Sequence, residues 1–505
     1  MSDPTIEASA SDLYESLMKN CYDEANLQTW IQSWIWPLLD HCQGSVSTMR
    51  LLKVALKMNS DCVIEEIIKG QNVSFALICL KLDKTKGGKK WAQHFSGFLQ
   101  KAAAVHFEDS VRIQALDLII SSHSSREDLD INELNLIRDT LELNMVIQQP
   151  SDRQNFIVQM KKLSLRLKAA MTISSRKKDH HNNAHYEEFI KGLAKFYFEC
   201  FFEDASFSRR SIALSCLQDL MTTFPDLLQD FKTLENAVKL VECLHDSYEL
   251  NKQVALDILE TFPMVVDNDD QFVFGRILNL IKSPKPPDSI SAGYLTKYLS
   301  LSKNHRDLSQ FLMNELEAQL GIAKTDLGLA SLNGPMYGVL YCLRFLITNP
   351  EFEIAAKLFN IGKVIAKVIE PVLNSDSPEG HLPMDIDESS KVSAQLLLLC
   401  AWRTSKEISL IFGQLCPFLS HELVLEMSHF FTSQLAEIKH RGAFEQAYIG
   451  FCSVCSHMWK TKGFQDIPNE LLLATIKEIG TDDEQRLCST RRSAGIPFLI
   501  QGNLP

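Results

Sequence analysis

The chain has 505 residues, more than one compact core can serve, so several domains or a repeat array are expected. Its apolar content of 45% and charged content of 23% suit a folded soluble protein. A formal net charge of −12 excludes contact with nucleic acid or an anionic membrane over the whole surface and leaves only a local basic patch.

Thirteen cysteines, an odd number, lie mostly inside apolar helical runs, as at Cys79, Cys216, Cys342 and Cys400. That usage reads as reduced thiols packed as small hydrophobes, and hence a cytosolic or nuclear chain. The start is polar and acidic (Ser2, Asp3, Glu7), without the basic-then-apolar order of a secretory leader. No apolar run reaches the ~18 residues that a membrane helix needs.

In chain order the pattern is helical throughout, with no alternating strand signal. Leu27 to Leu39 place Trp30, Trp34 and Ile35 at helical spacing. Thr48 to Ile68 read as two short amphipathic helices with a turn at Asn59-Ser60-Asp61. At Phe107 a distinctive order begins: Asp109-Ser-Val-Arg-Ile-Gln-Ala-Leu116, an acidic cap followed by Val111, Arg112, Ala115 and Leu116. It resembles the opening of the second helix of a HEAT repeat. It recurs after Asp204, after Leu250, after Lys439, and around Arg491 and Ala494. A period of ~40–50 residues is that of stacked helix pairs, which bury together the faces that one pair cannot bury alone. The expected fold is therefore all-α, a HEAT/armadillo-like solenoid of antiparallel helix pairs. Loops are expected at Lys81 to Lys90, at the basic, His- and Asn-rich Ser174 to Glu188, at Ser283-Pro-Lys-Pro-Pro-Asp288, and in a disordered acidic stretch from Asn374 to Lys391.

Catalytic constellations are not found. Cys452-Ser-Val-Cys455 has redox or zinc spacing but no second pair, so two core thiols are the better reading. His180, His181 and His185 have no nearby cysteine, and a solvated loop is favoured. His421-Glu422 meets Leu425 where a metalloprotease helix needs its second histidine, and no dinucleotide, phosphate-loop or nucleophile-elbow motif occurs.

Three basic sets near repeat spacing remain: Arg403 with Lys406; Lys439, His440 and Arg441; and Arg491 with Arg492. If each opens the second helix of its repeat, neighbouring sets lie ~8–10 Å apart and make a short basic ladder suited to an RNA backbone or an acidic partner. The competing reading is an inter-repeat Asp–Arg ladder that is purely structural, with Asp109, Asp204 and Asp482-Asp483-Glu484 as its acids. Arg112 and Arg210 are expected to be of that structural kind.

Three runs resemble signatures of the thyroid adenoma-associated protein family: Leu398-Leu-Cys-Ala-Trp-Arg-Thr-Ser-Lys-Glu-Ile-Ser-Leu410, Lys439-His-Arg-Gly-Ala-Phe-Glu445, and Ser489-Thr-Arg-Arg-Ser-Ala-Gly-Ile-Pro-Phe498. The Ser283 to Asp288 turn and Ser291-Ala-Gly-Tyr294 resemble it too. The resemblance covers Phe272 to Gln501 and divides the chain into N-terminal HEAT-like repeats (1–271) and the start of the conserved helical region (272–505). It implies a non-catalytic, cytoplasmic scaffold or regulatory subunit that acts with an FtsJ-type methyltransferase in 2′-O-ribose methylation of the tRNA anticodon loop. The partner enzyme would bring S-adenosylmethionine; this chain would need no cofactor or metal, and would meet neither membrane nor DNA. Arg403, Lys406, Lys439, His440, Arg441, Arg491, Arg492, Ser493 and Gly495 are the expected partner- or RNA-binding residues. Members of that family are far longer, so a partial or alternatively ended chain is expected, with Ile496, Phe498, Leu499 and Ile500 left bare at the last repeat. The alternative is a general protein–protein interaction solenoid with no RNA role.

Overall fold

A computed structural model of the chain describes residues 4–41, 46–69, 73–87, 96–121, 128–177, 180–262, 270–301, 308–374, 393–479 and 495–503. Among these residues every regular element is a helix, and helix pairs stack in two rows, as the repeat pattern requires. The chain divides into two compact units, residues 1–239 and 240–505. The sequence had suggested a division at 271/272.

In the first unit, α1 (Pro4–Asn20) is followed by α2 (Leu27–Trp30), a π-helical turn over Ile31–Ile35 and α3 (Trp36–His41). Next come α4 (Val46–Met58), α5 (Ser60–Lys69), α6 (Val73–Gly87), α7 (Ser96–Gln100), α8 (Asp109–Ile120), α9 (Ile131–Asn144), α10 (Pro150–Lys177), α11 (His180–Glu199) and α12 (Phe207–Thr223). One row runs α4, α6, α8, α10, α12, each packed on the next. Asn59 makes the expected turn, accepting at Oδ1 from the Cys62 N–H at 3.3 Å.

In the second unit, α13 (Leu234–Cys243) spans the division. After it come α14 (Glu249–Leu259), α15 (Asp270–Ile281), α16 (Pro286–Ser300), α17 (Leu308–Thr325), α18 (Leu327–Asn333), α19 (Met336–Leu346) and α20 (Phe352–Leu373). The unit ends with α21 (Ala394–Leu415), α22 (His421–Glu437), α23 (Arg441–Lys460), α24 (Ile467–Ile479) and α25 (Gly495–Gly502). Helices α14, α16, α19, α21 and α23 form its first row, and α15, α17, α20 and α22 back them as the second. The recurring sequence signature therefore marks a position in the fold. Its copies at Asp109, Asp204, Leu250 and Lys439 begin α8, α12, α14 and α23, all first-row helices.

Arg112 is structural, as expected. It is 3% exposed, donates to Asn144 Oδ1 (3.0 Å) and the His106 carbonyl (2.7 Å), and pairs with Asp109. Arg210 donates to the Ala205 carbonyl.

Several expectations on loops are corrected. α6 carries the charged stretch on to Gly87, so Lys81 to Gly87 is helix. Ser174 to Glu188 is not a basic loop either: α10 and α11 leave only residues 178–179 between them, and His180, His181 and His185 lie in α11. Straight-chain and alanine residues keep the helix going where polarity alone suggested a break. Ser283 to Asp288 is the expected turn. Ser283 Oγ donates to Asp288 Oδ2 at 2.5 Å, and Pro286 opens α16 with its φ preset. Past Asn374 the acidic stretch lies outside the described residues.

Phe498 and Leu499 are not left bare. Leu499 is 2% exposed, and the Phe498 ring lies 4.8 Å from that of Tyr448. Helix α25 packs on α22 and α23, and Asn503 accepts from the Cys455 thiol at 3.6 Å.

First-row helices approach closely where glycine permits. A Cβ on Gly450 would sit 2.5 Å from the Ser409 carbonyl oxygen and 2.6 Å from Phe431 Cζ. Backbone cannot move aside as a flexible side chain can. Gly450→Ala is expected to separate α21 from α23 and cost about 2 kcal/mol, read as a lower Tm in thermal unfolding.

Candidate basic face of the second unit

Helix α21 starts at a Ser393 cap, whose Oγ accepts from the Leu396 N–H at 3.2 Å. Its apolar run, Leu396 to Ala401, then carries the helix inward. Arg403 and Lys406 consequently sit in the middle of α21 and do not open a helix, a correction to the ladder as first drawn. Lys439, His440 and Arg441 do lie at a helix start, that of α23. Arg491, Arg492 and Ser493 lie outside the described residues, and Gly495 is the first residue of α25.

The residues brought together centre on one that sequence reasoning passed over, Trp402. Its indole stacks on the His440 imidazole, with centroids 5.8 Å apart and planes 19° apart. The Arg403 guanidinium lies 5.0 Å from the centroid of the same indole. His440 caps α23, its Nδ1 accepting the Ala443 N–H at 3.2 Å, which fixes the ring against Trp402. Gly442 allows that closeness: a Cβ there would come 3.2 Å from His440 Cε1 and 3.5 Å from Trp402 Cε3. The Lys439 N–H donates to the Leu373 carbonyl at 3.2 Å, holding the loop before α23 against the end of α20. Arg441 keeps 84% of its side chain exposed while Nε donates to Glu445 Oε1 at 2.8 Å. Arg403 Nε is buried with no hydrogen-bond partner among the described residues. The cluster is thus a basic and aromatic surface in an acidic chain, able to hold an anion or a planar ring. It offers no nucleophile or acid–base pair.

One helix earlier in the row, a buried pair takes over. Arg344 of α19 donates from Nε to Glu407 Oε2 of α21 at 2.7 Å, and its guanidinium lies 4.8 Å from the Tyr341 ring centroid. Glu407 is 4% exposed on its side chain; burial pushes its carboxyl above the usual range, against the pull of Arg344. Next along the row, the hydroxyls of Tyr294 and Tyr341 reach Glu249 Oε1 at 3.4 and 3.3 Å. Burial pushes the Tyr294 hydroxyl up to about 12.

A structural ion-pair ladder is present in this unit, and it uses different residues from those expected. Arg276 of α15 pairs with Glu242 of α13 (2.7 Å), and second-row neighbours are joined by Lys282–Glu315 (3.8 Å), Lys357–Glu317 (2.9 Å) and Lys363–Glu426 (2.5 Å). These cations are therefore occupied, as Arg441 is by Glu445, whereas Arg403 forms no ion pair among the described residues. Asp109 serves Arg112 within α8, and Asp482, Asp483 and Glu484 lie outside the described residues.

Among the described residues no group of three or more His, Cys, Asp or Glu side chains is placed to hold a metal. Cys452 and Cys455 share α23; Cys455 is buried, which raises its thiol far above the ordinary range, while Cys452 is half-buried. No helix among the described residues is long and apolar enough to cross a membrane.

Stacked helix pairs presenting a basic, aromatic cluster define the class: a helical-repeat scaffold whose described residues show surface chemistry only. Known proteins agree with that class. A family model described as THADA/TRM732, DUF2428 matches residues 353–504, and one described as Trm732, TPR repeats, matches residues 13–239. The chain belongs to the THADA/Trm732 family. It is 24% identical over 683 residues to the mouse protein named tRNA (32-2′-O)-methyltransferase regulator THADA, covering 100% of this chain and 35% of that protein. The regulator of the same name in Drosophila melanogaster is 29% identical over 395 residues, 62% of this chain and 22% of that protein. The regulator trm732 of Schizosaccharomyces pombe is 26% identical over 451 residues, 77% of this chain and 30% of that protein. The chain spans about a third of the length of these curated relatives or less.

Proposed function

We propose that this chain is a non-catalytic, cytoplasmic regulatory scaffold, acting with an FtsJ-type methyltransferase in 2′-O-ribose methylation of the tRNA anticodon loop. The observation that carries the reading is the Arg403–Trp402–His440 stack with Arg441 beside it. This cluster lies within residues 353–504, the stretch matched by the THADA/TRM732 family model, and the similar mouse protein is named as a regulator of a tRNA methyltransferase. Arginine over an indole suits unpaired RNA, where a guanidinium meets phosphate and an aromatic face meets a base. The partner enzyme supplies S-adenosylmethionine and the reacting groups. The scaffold contributes placement, which in a bimolecular transfer is worth several kcal/mol of barrier.

The test mixes the chain, the methyltransferase and a tRNA transcript, and follows methyl transfer to the anticodon loop. Arg403→Ala with Arg441→Glu is expected to lower the stimulated rate roughly tenfold, with the chain still folded by circular dichroism. An unchanged rate sinks the assignment of these residues. Arg491→Ala with Arg492→Ala is the parallel test for the pair beyond the described residues.

A further inference from the structure

Helix α10 is the most basic element of an acidic chain. Its 28 residues hold seven basic side chains (Arg153, Lys161, Lys162, Arg166, Lys168, Arg176, Lys177) against the single acid Asp152. Arg166 and Arg153 are consumed within the fold, and Lys162 is ion-paired. Arg166 is 8% exposed and donates to the carbonyls of Ile119 (3.2 Å) and Ile120 (2.8 Å), and Arg153 lies 4.9 Å from the Phe207 ring centroid.

The opposite face of the helix is different. Phe156, Met160, Leu163, Leu167 and Ala170 are buried, while Lys161, Lys168 and Arg176 are exposed and form no ion pair among the described residues. At 1.5 Å rise and roughly 100° per residue, Lys161 and Lys168 stand about 10 Å apart and nearly in line, and Arg176 about 12 Å further on and about 80° round, so the three share one broad stripe of the helix surface. Lys162 lies beside the stripe, 52% exposed, and shares the Asp117 carboxylate (3.1 Å) with Lys81 of α6, itself 58% exposed. Burial opposes the ionised form of Asp117, but the two lysine hydrogen bonds hold its carboxyl below the usual range. One carboxylate between two lysines still leaves a net positive charge there.

We propose that this stripe of α10 is a docking surface for an RNA sugar-phosphate backbone, in a unit of the fold other than the one carrying Trp402. Unpaired cations in a row, with no carboxylate on the exposed face of their own helix, complement a rod-like polyanion. A lipid surface fits less well. The exposed apolar side chains on this face are Val158 (38% exposed) and Leu165 (66%), two isolated residues where an interfacial helix would carry a continuous apolar stripe. The choice of RNA as the polyanion rests on the function proposed above; the charge argument does not.

The experiment measures binding of the whole chain to a fluorescently labelled tRNA transcript across a salt series. Lys161→Glu, Lys168→Glu and Arg176→Glu are combined in one variant, with a second variant carrying alanine at the same three exposed positions as a milder check on folding. The expected result is binding weakened roughly 10- to 100-fold by the glutamates and less by the alanines. The slope of log K against log salt should be smaller by about 2 to 3, since each lost phosphate contact removes ~0.7–0.9. Unchanged affinity and slope overturn the proposal. So does unchanged tRNA binding combined with lost binding to phosphatidylserine vesicles, which would assign the stripe to a membrane. Methyl transfer measured with Arg403→Ala and Arg441→Glu reports separately on the second unit, so either reading can fail while the other stands.

Discussion

Arg344→Ala is expected to destabilise the second unit by about 3 kcal/mol at pH 7–8, seen as a lower Tm and denaturation midpoint. The reason lies in what is left behind. Glu407 is 4% exposed on its side chain and accepts a hydrogen bond from Arg344 Nε at 2.7 Å. Without it a carboxylate stays buried between α19 and α21 with only the weaker pull of Lys406 and Arg403 to offset it, and the Arg344 contact with the Tyr341 ring goes too. The pH dependence identifies the cause. Glu407 already has its folded-state pKa raised by burial, so the folded state holds that proton more tightly than the unfolded state. Its contribution to stability is then present below the unfolded value and lost as pH rises through the folded value. Removing Arg344 raises the folded value further. The deficit should grow with pH and shrink as pH falls and the carboxyl takes up its proton in both variants. Arg344→Met with Glu407→Leu should recover most of the loss, because an apolar pair of similar volume has no charge to strand. A deficit that is the same at pH 5 and pH 8 would mean that packing, not charge, held the site.

That pair also shows what can be read from a sequence. Helical period, the Asn59 turn and the first-row signature are local patterns, and each led to the right element. Partner choice is not local. Arg344 and Glu407 are 63 residues apart, as are Lys363 and Glu426, and no spacing rule joins them. The basic ladder was half legible for the same reason. The cap at His440 fixes where α23 begins, so Lys439 to Arg441 fell at a helix start as drawn. Arg403 was misplaced because the Ser393 cap starts α21 well before it. Trp402 went unnoticed because an indole in an apolar run looks like core. Its role depends on His440 arriving from another helix. The charge of α10 is countable from residues 150–177 alone, but the loop expected from Ser174 took in Arg176, and which lysines face outward depends on the neighbours that bury the other side.

Lys252→Met is expected to stabilise the chain by about 3 kcal/mol at pH 7. Lys252 is 2% exposed at the start of α14, and its Nζ donates to Ser291 Oγ of α16 at 2.5 Å. Burial pushes its pKa from 10.5 down to about 8, although Asp246, Glu249 and Asp288 pull the other way. At ~1.36 kcal/mol per tenfold change in proton affinity, that fall means that folding disfavours the ammonium by roughly 3 kcal/mol, the carboxylates' attraction included. The sign follows from the protons bound. Between pH 8 and 10.5 the unfolded chain holds the proton that the folded chain has lost, so wild-type stability rises with pH across that window. Methionine fills nearly the same volume with no charge, and its advantage should be full below pH 8 and fade by pH 10.5. His245, also driven toward its neutral form by burial, acts in the same direction at lower pH, and stability should fall as pH drops through 6.5 in both proteins. The measurement is chemical denaturation of both proteins from pH 6 to 10.5. A constant difference between them would show that Lys252 keeps its ordinary pKa. A methionine variant less stable at pH 7 would show that the Ser291 bond and the three carboxylates outweigh burial, and that the lysine holds α14 to α16 as an ammonium.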